Sequence, residues 1–210
     1  MRIAIFGTVG AGKSTIAEKI AEKIDHEIFS EPIEDNPYFD SYYDDIKNNV
    51  FKTQIYFLAA RSKQLKQARS LKNIIFDRTI LEDPIFTQVN HDLGNISDVD
   101  FKTYNDFYEN VILQTLSIPD ERVKFDIIIY LKISTKKAID RIKTRGRIQE
   151  QNMDNTYWEQ LNKRYNDFYE KYKDKFNFLV VDANTDDFEA KIDIIMNNLY
   201  KLNKNNTLKK

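Results

Sequence analysis

The chain has 210 residues, with 32 Lys and Arg against 33 Asp and Glu, a net charge of −1 and no cysteine. The even balance argues against broad binding to a nucleic-acid polymer or an anionic membrane. The missing cysteines exclude disulfides, thiolate metal sites and thiol catalysis.

Residues 2–6 (RIAIF) read as a short buried strand, and 14–24 as a helix with Ile16, Ile20 and Ile24 on one face. A second strand over 27–30 ends at Glu31-Pro32, where proline cannot continue a central ladder. Residues 37–70 are mostly helical in pattern, with Phe51, Ile55, Leu58 and Leu65 near one face. NIIF at 73–76 is a third strand, ending at Asp77-Arg78. A long helical region then runs to about residue 118, broken near HDLGN at 91–95, and a loop begins at Pro119. FDIIIYLKI at 125–133 is an almost unbroken apolar run with β-branched residues, as expected of a strand covered on both faces. Ser134 is placed to cap a helix over 135–145. Residues 154–175 form a helix rich in tyrosine and charge, and 177–183 a fifth strand. A last amphipathic helix spans 186–201, before a Lys/Asn tail expected to fray.

Strands that alternate with helices call for an α/β fold, with a five-stranded parallel sheet flanked by helices on both faces. With no Pro/Gly/Ser-rich linker and no repeat, residues 1–210 are expected to form a single domain. The opening MRIAIF runs into glycine and lysine without a secretory apolar region, and no window reaches the ~20 apolar residues of a membrane helix. The expected location is the cytoplasm. His26 and His91 lie far apart, which disfavours a histidine metal site.

Only five glycines occur, and Gly7, Gly10 and Gly12 fall within the stretch Gly7-Thr8-Val9-Gly10-Ala11-Gly12-Lys13-Ser14-Thr15. This is the G-x-x-x-x-G-K-[ST] pattern between a strand and a helix. Backbone N–H groups there surround phosphates, Lys13 reaches the β- and γ-phosphates, and the Ser14 hydroxyl sits on Mg²⁺. The expected ligands of the loop are therefore a nucleoside triphosphate and Mg²⁺. Asp77 and Glu31 stand at the carboxyl ends of strands, the edge that faces the ligand crevice of an open α/β sheet. A carboxylate at Glu31 can take a proton from an attacking hydroxyl. Asp77 is followed by Arg-Thr-Ile rather than x-x-Gly, and no Asn-Lys-x-Asp occurs, so a GTP switch is disfavoured. Arg141, Arg145 and Arg147 cluster around Gly146, which should end or loosen the helix. Clustered guanidiniums on such a segment suit either a solvated helix face or a lid, at about 141–153, that closes over a transferring phosphoryl group.

With these features in order, the sequence resembles the deoxynucleoside kinases, in particular the deoxycytidine, deoxyguanosine and deoxyadenosine kinase group with its bacterial relatives, over roughly residues 1–155. The resemblance implies the P-loop kinase fold, a homodimer, and ATP-dependent phosphorylation of the 5′-hydroxyl of a deoxynucleoside. It makes Glu31 the contact to the 5′-hydroxyl and the favoured general base. Asp77, usually Glu in the family, is the other candidate base or a residue near Mg²⁺. Arg78 orients the 5′-oxygen and the catalytic carboxylate. Tyr43 and Glu150 hold the sugar 3′-hydroxyl, and Gln54 reads the base edge. Arg61 and Asp83 match the Arg/Asp pair of cytosine- and purine-preferring members. A buried Asp held by Arg is expected to stay ionised and to accept from an exocyclic amino group. Deoxyadenosine is favoured, then deoxyguanosine or deoxycytidine, over thymidine. Thr53 and Thr87 stand where the family often has aromatics, with Phe86 beside the second; both departures bear on base preference.

Two other readings share part of the pattern. A nucleoside-monophosphate kinase such as thymidylate kinase has the same loop and an Arg-rich lid, but needs further cations for its acceptor's phosphate. A non-catalytic nucleotide-binding regulatory protein would bind ATP without transfer.

Overall fold

The five apolar runs pair side by side. β1 (Arg2–Phe6), β2 (Glu27–Phe29), β3 (Ile74–Asp77), β4 (Ile127–Lys132) and β5 (Phe178–Asp182) take the order β2-β3-β1-β4-β5. Every neighbouring pair is parallel, with Ala4 of β1 opposite Phe76 on one side and Ile128 on the other. The computed structural model describes residues 1–114, 124–151 and 153–207.

Parallel strands require crossovers, and helices supply them. The helices are α1 (Lys13–Ile24), α2 (Phe39–Asp44), α3 (Ile46–Gln67), α4 (Asp83–Asp92), α5 (Asp98–Phe107), α6 (Thr135–Arg145), the short α7 (Ile148–Gln151), α8 (Asn155–Tyr172) and, after the last strand, α9 (Phe188–Thr207). Successive side chains of a strand face opposite ways, so β1 feeds two cores. Ile3 and Ile5 pack with Ile16 and Ile20 of α1 and Ile192 and Ile195 of α9. Ala4 and Phe6 pack with Trp158, Leu161 and Tyr165 of α8. A third cluster joins Leu58 and Leu65 of α3 to Phe76 and Tyr104. Each fully buried Ile or Leu contributes about 1.5–3 kcal/mol relative to exposure, so β1 is anchored from both faces.

The element boundaries differ from the sequence pattern in places with local causes. The helical stretch over 37–70 is interrupted at Asp45, whose carboxylate accepts from Asn48 N–H and caps α3. The region after β3 is a 3₁₀ turn (Ile80–Glu82), then α4, α5 and a π-helical turn (Tyr108–Leu113). Gly94, in the left-handed region at φ +70°, lies in the break between α4 and α5. Ser134 caps α6 as expected, accepting from Lys137 N–H. The final helix does not fray at 201 but continues to Thr207. No Gly or Pro interrupts it, and Leu199 and Leu202 hold it to the core. The loop expected at Pro119 lies outside the described residues. Among the described residues, no helix is long and apolar enough to cross a membrane.

Candidate active site

The carboxyl ends of β1, β2 and β3 open onto one cavity of about 910 Å³. Its floor is the loop between β1 and α1. Gly10 sits at φ +82°, and a Cβ there would fall 2.5 Å from the carbonyl oxygen of Ala138 in α6, so only glycine fits. Gly7, Thr8 and Ala11 shape the loop from behind, with Ala11 N–H donating to Thr8 O at 3.3 Å. Val9, Gly10, Gly12, Lys13, Ser14 and Thr15 face the cavity. The Lys13 ammonium folds back over the loop and donates to Thr8 O at 3.0 Å. Burial first, then the Arg78 charge, lowers its pKa to about 8. A buried cation beside free loop N–H groups is an environment built for anionic oxygens.

Asp77 at the end of β3 reaches the same loop. Ser14 Oγ donates to Asp77 Oδ2 at 2.5 Å, while Asp77 Oδ1 is buried with no hydrogen-bond partner. Mg²⁺ takes hard oxygen ligands and usually one or two protein groups, with phosphates and water completing the shell. Ser14 and Asp77 fit that pattern. Among the described residues, no three acidic or histidine side chains are placed to hold a metal ion by themselves.

Glu31, just past β2, lies between two guanidiniums. Arg78 Nε is 2.8 Å from Glu31 Oε1, and Arg61 Nη2 donates to the same oxygen at 3.2 Å. Burial would raise the Glu31 pKa, but Arg78, Arg61 and Lys13 outweigh it and hold the carboxyl at about 2. Arg78 follows the last residue of β3 with φ +71°, unusual for a side-chain-bearing residue. Its guanidinium lies over the Phe86 ring, 4.8 Å from the centroid, and donates to the Tyr165 hydroxyl. Tyr165 in turn donates to Glu82 Oε2 at 2.8 Å, and Glu82 Oε1 accepts from Thr79 N–H at 2.9 Å. Sequence reasoning missed Glu82 and Tyr165. The one local signal was Thr79-x-x-Glu82, a capping box that closes the 3₁₀ turn after β3.

At the far end, α3 presents Thr53, Gln54, Phe57 and Arg61 to the cavity over about two turns. Arg61 Nε donates to Asp83 Oδ1 at 2.8 Å. Arg61 Nη1, Asp83 Oδ2 and Thr53 Oγ1 are all buried without partners. Burial pushes the Asp83 carboxyl up to about 7, against the opposing pull of Arg61. Phe86, not Thr87, faces the cavity; the Thr87 hydroxyl turns back to donate to Asp83 O at 3.3 Å.

Tyr43 and Glu150 both line the cavity. Beside Tyr43, Asn90 of α4 donates to the Tyr42 hydroxyl, which lies 3.0 Å from that of Tyr157 on α8, tying α2 in place. Gly146, at φ +76°, ends α6 and donates to Ile142 O. Arg145 and Arg147 flank it and both pair with buried Glu150, Arg147 Nη1 at 3.4 Å from Oε1. Arg141, one turn earlier, pairs instead with Asp186 at 3.3 Å, beyond β5. All three arginines line the cavity.

A triphosphate cradle sharing one cavity with a buried polar pocket is the arrangement of a P-loop phosphotransferase that acts on a small acceptor. The family model described as "Deoxynucleoside kinase" matches residues 3–203. A deoxyadenosine kinase of Lactobacillus acidophilus is 36% identical over 174 residues, covering 81% of this chain and 80% of that one. A deoxyadenosine kinase structure from M. mycoides, with the products dCMP and a flexible dCDP bound, superposes with TM-score 0.89 at 57% identity, over 96% of this chain and 100% of that one. The same enzyme with bound dATP gives TM-score 0.87 at 57% identity, over 95% and 100%. The chain belongs to the deoxynucleoside kinase family, and it is a phosphotransferase with the P-loop kinase fold.

Proposed function

We propose that this enzyme transfers the γ-phosphoryl group of ATP to the 5′-hydroxyl of a deoxynucleoside, with deoxyadenosine preferred and deoxyguanosine or deoxycytidine next. The observation that carries the reading is Glu31, an ionised carboxylate held by Arg78 and Arg61 in the cavity that joins the phosphate cradle to the polar pocket. Arg61 and Arg78 are committed to Glu31, Asp83 and Glu82. With their charge offset by these carboxylates, the two arginines favour a nucleoside over a nucleoside monophosphate as acceptor. The relatives named deoxyadenosine kinase support deoxyadenosine first, and the dCMP held by the M. mycoides enzyme supports deoxycytidine as a further substrate.

In this mechanism Glu31 accepts the hydrogen bond of the 5′-hydroxyl and aims the oxygen at the γ-phosphorus. Its low pKa suits a loose transition state, in which positioning matters more than early proton removal. Arg78 steadies Glu31 and the attacking oxygen. Lys13 and the loop N–H groups hold the β- and γ-phosphates. Ser14 and Asp77 would hold Mg²⁺, which when bound neutralises phosphate charge. Arg145 and Arg147 offset charge on the transferring group, and with Arg141 keep water, the competing acceptor, out. Tyr43 and Glu150 receive the 3′-hydroxyl. Gln54, Arg61 and Asp83 read the base, pairing donor with acceptor. The enzyme works in the cytoplasm as a homodimer, for which exposed Val99, Phe107 and Val111 offer an apolar face.

The test is a panel of four deoxynucleosides, the ribonucleosides and dAMP with ATP. Phosphorylation of deoxyadenosine, with none of dAMP, is expected; the reverse would overturn the assignment. Glu31→Gln should lower kcat by about 10²–10⁴-fold, and an unchanged kcat would remove Glu31 from the proton-accepting role.

A further inference from the structure

Glu82 and Tyr165 do not line the cavity, yet both are 0% exposed and both are polar. They come from different parts of the fold. Glu82 closes the 3₁₀ turn after β3, and Tyr165 lies near the middle of α8. They converge on a single group, the Arg78 guanidinium.

The direction of each hydrogen bond is fixed by chemistry. A guanidinium has only donors and an ionised carboxylate only acceptors, so a phenol between them must accept from one and donate to the other. Tyr165 Oη therefore accepts from Arg78 Nη1 and donates to Glu82 Oε2 at 2.8 Å. The remaining Glu82 oxygen is taken by Thr79 N–H. Glu82 is thus pinned by the backbone, Tyr165 by Glu82, and Arg78 by Tyr165. The Phe86 ring lies against one face of the guanidinium, and Glu31 Oε1 stands 2.8 Å from its Nε. Arg78 needs such support, because a side-chain-bearing residue at φ +71° persists only where its surroundings over-determine it.

We infer that Glu82 and Tyr165 are positioning residues for phosphoryl transfer, a buried carboxylate–phenol brace that fixes the Arg78 guanidinium in its place beside Glu31. The inference rests on the role proposed above for Arg78. It adds two residues that touch neither nucleotide nor nucleoside. α8 then has a purpose beyond packing: one of its hydroxyls sets the aim of a catalytic arginine.

The experiment is a double-mutant cycle read in kcat and KM. Tyr165→Phe removes only the hydroxyl and leaves the ring packed against Phe6 at 4.9 Å. It should keep KM for ATP and lower kcat by about 10- to 100-fold, the loss that follows a small misplacement of an orienting group. In an Arg78→Lys background, the same change should cost less than about twofold more, since its effect passes through Arg78. Glu82→Gln gives a second, independent arm. Its amide oxygen can keep Thr79 N–H, but its NH₂ then faces the phenol as a donor and reverses the polarity of the brace. It should reproduce both the kcat loss and the non-additivity, and serves alone if Tyr165→Phe does not fold by circular dichroism. Wild-type kcat in a folded Tyr165 or Glu82 variant, or losses that add fully to that of Arg78→Lys, would overturn the brace while leaving the Arg78 role intact. Wild-type kcat in Arg78→Lys alone would instead overturn the Arg78 role, and the brace with it.

Discussion

Ser14 Oγ donates to one oxygen of Asp77 at 2.5 Å, and the other oxygen of that carboxylate is buried with nothing to accept from. An unpaired buried acceptor beside a phosphate cradle is costly unless a ligand completes it. Asp77→Asn should raise the Mg²⁺ concentration needed for half-maximal activity by about 10- to 100-fold. A Mg²⁺ titration at fixed ATP checks this, and an unmoved midpoint would take Asp77 out of metal binding.

Lys13 makes a pH prediction. Its pKa in the folded, ligand-free chain is about 8, against 10.5 for an ordinary lysine. Between pH 8 and 10.5 the unfolded chain binds more protons at this group than the folded one does. Stability from this group therefore rises with pH across that window, and the penalty of the buried charge is fully present below it. Phosphate oxygens beside Lys13 favour its charged form, so ATP binding near pH 8.5 should take up a fraction of a proton. Calorimetry in buffers of different ionisation enthalpy measures the uptake, and Lys13→Met should abolish it.

The Thr53 hydroxyl separates ligand binding from stability. It is buried, has no partner, and lines the cavity beside Gln54. An unsatisfied buried hydroxyl costs about 1–3 kcal/mol, so the isosteric Thr53→Val should raise the melting temperature of the free enzyme. If the nucleobase supplies the missing partner, the same change lowers kcat/KM for deoxyadenosine about 3- to 30-fold. A melting scan and a substrate series, run on one preparation, check both halves.

Arg145 pairs with Glu150 across the Gly146 turn, so its removal touches two functions. Arg145→Ala should cost about 2–4 kcal/mol in transition-state stabilisation, with a smaller rise in KM for the deoxynucleoside as Glu150 loses a partner. Steady-state kinetics with both substrates varied would show it, and a wild-type kcat would remove Arg145 from the transfer step.

Much of this site is legible in sequence because its signals are local. Gly7, Gly10 and Gly12 fall in one short loop with Lys13 and Ser14, and Glu31 and Asp77 directly follow or end apolar strand runs. The harder parts depend on distant partners. Tyr165 and Glu82 are 83 positions apart, and neither has a neighbour in sequence that betrays the contact. The Asp83 carboxyl feels burial as well as Arg61, and burial is a property of the packed interior that residue spacing does not carry. The helix boundary at Asp45 and the extension to Thr207 turned on a single cap and on two leucines. Periodicity registers these only weakly.

Arg61 grips Asp83 with one nitrogen and Glu31 with another. On the roles proposed above, choice of base and readiness of the acceptor oxygen are linked through Arg61. An ancestor drifting toward a new nucleobase by altering Asp83 would release Arg61 to lean on Glu31, and its turnover would change along with its diet. On those roles, rewriting base preference at Asp83 without loss of turnover calls for a second, compensating change near Arg61.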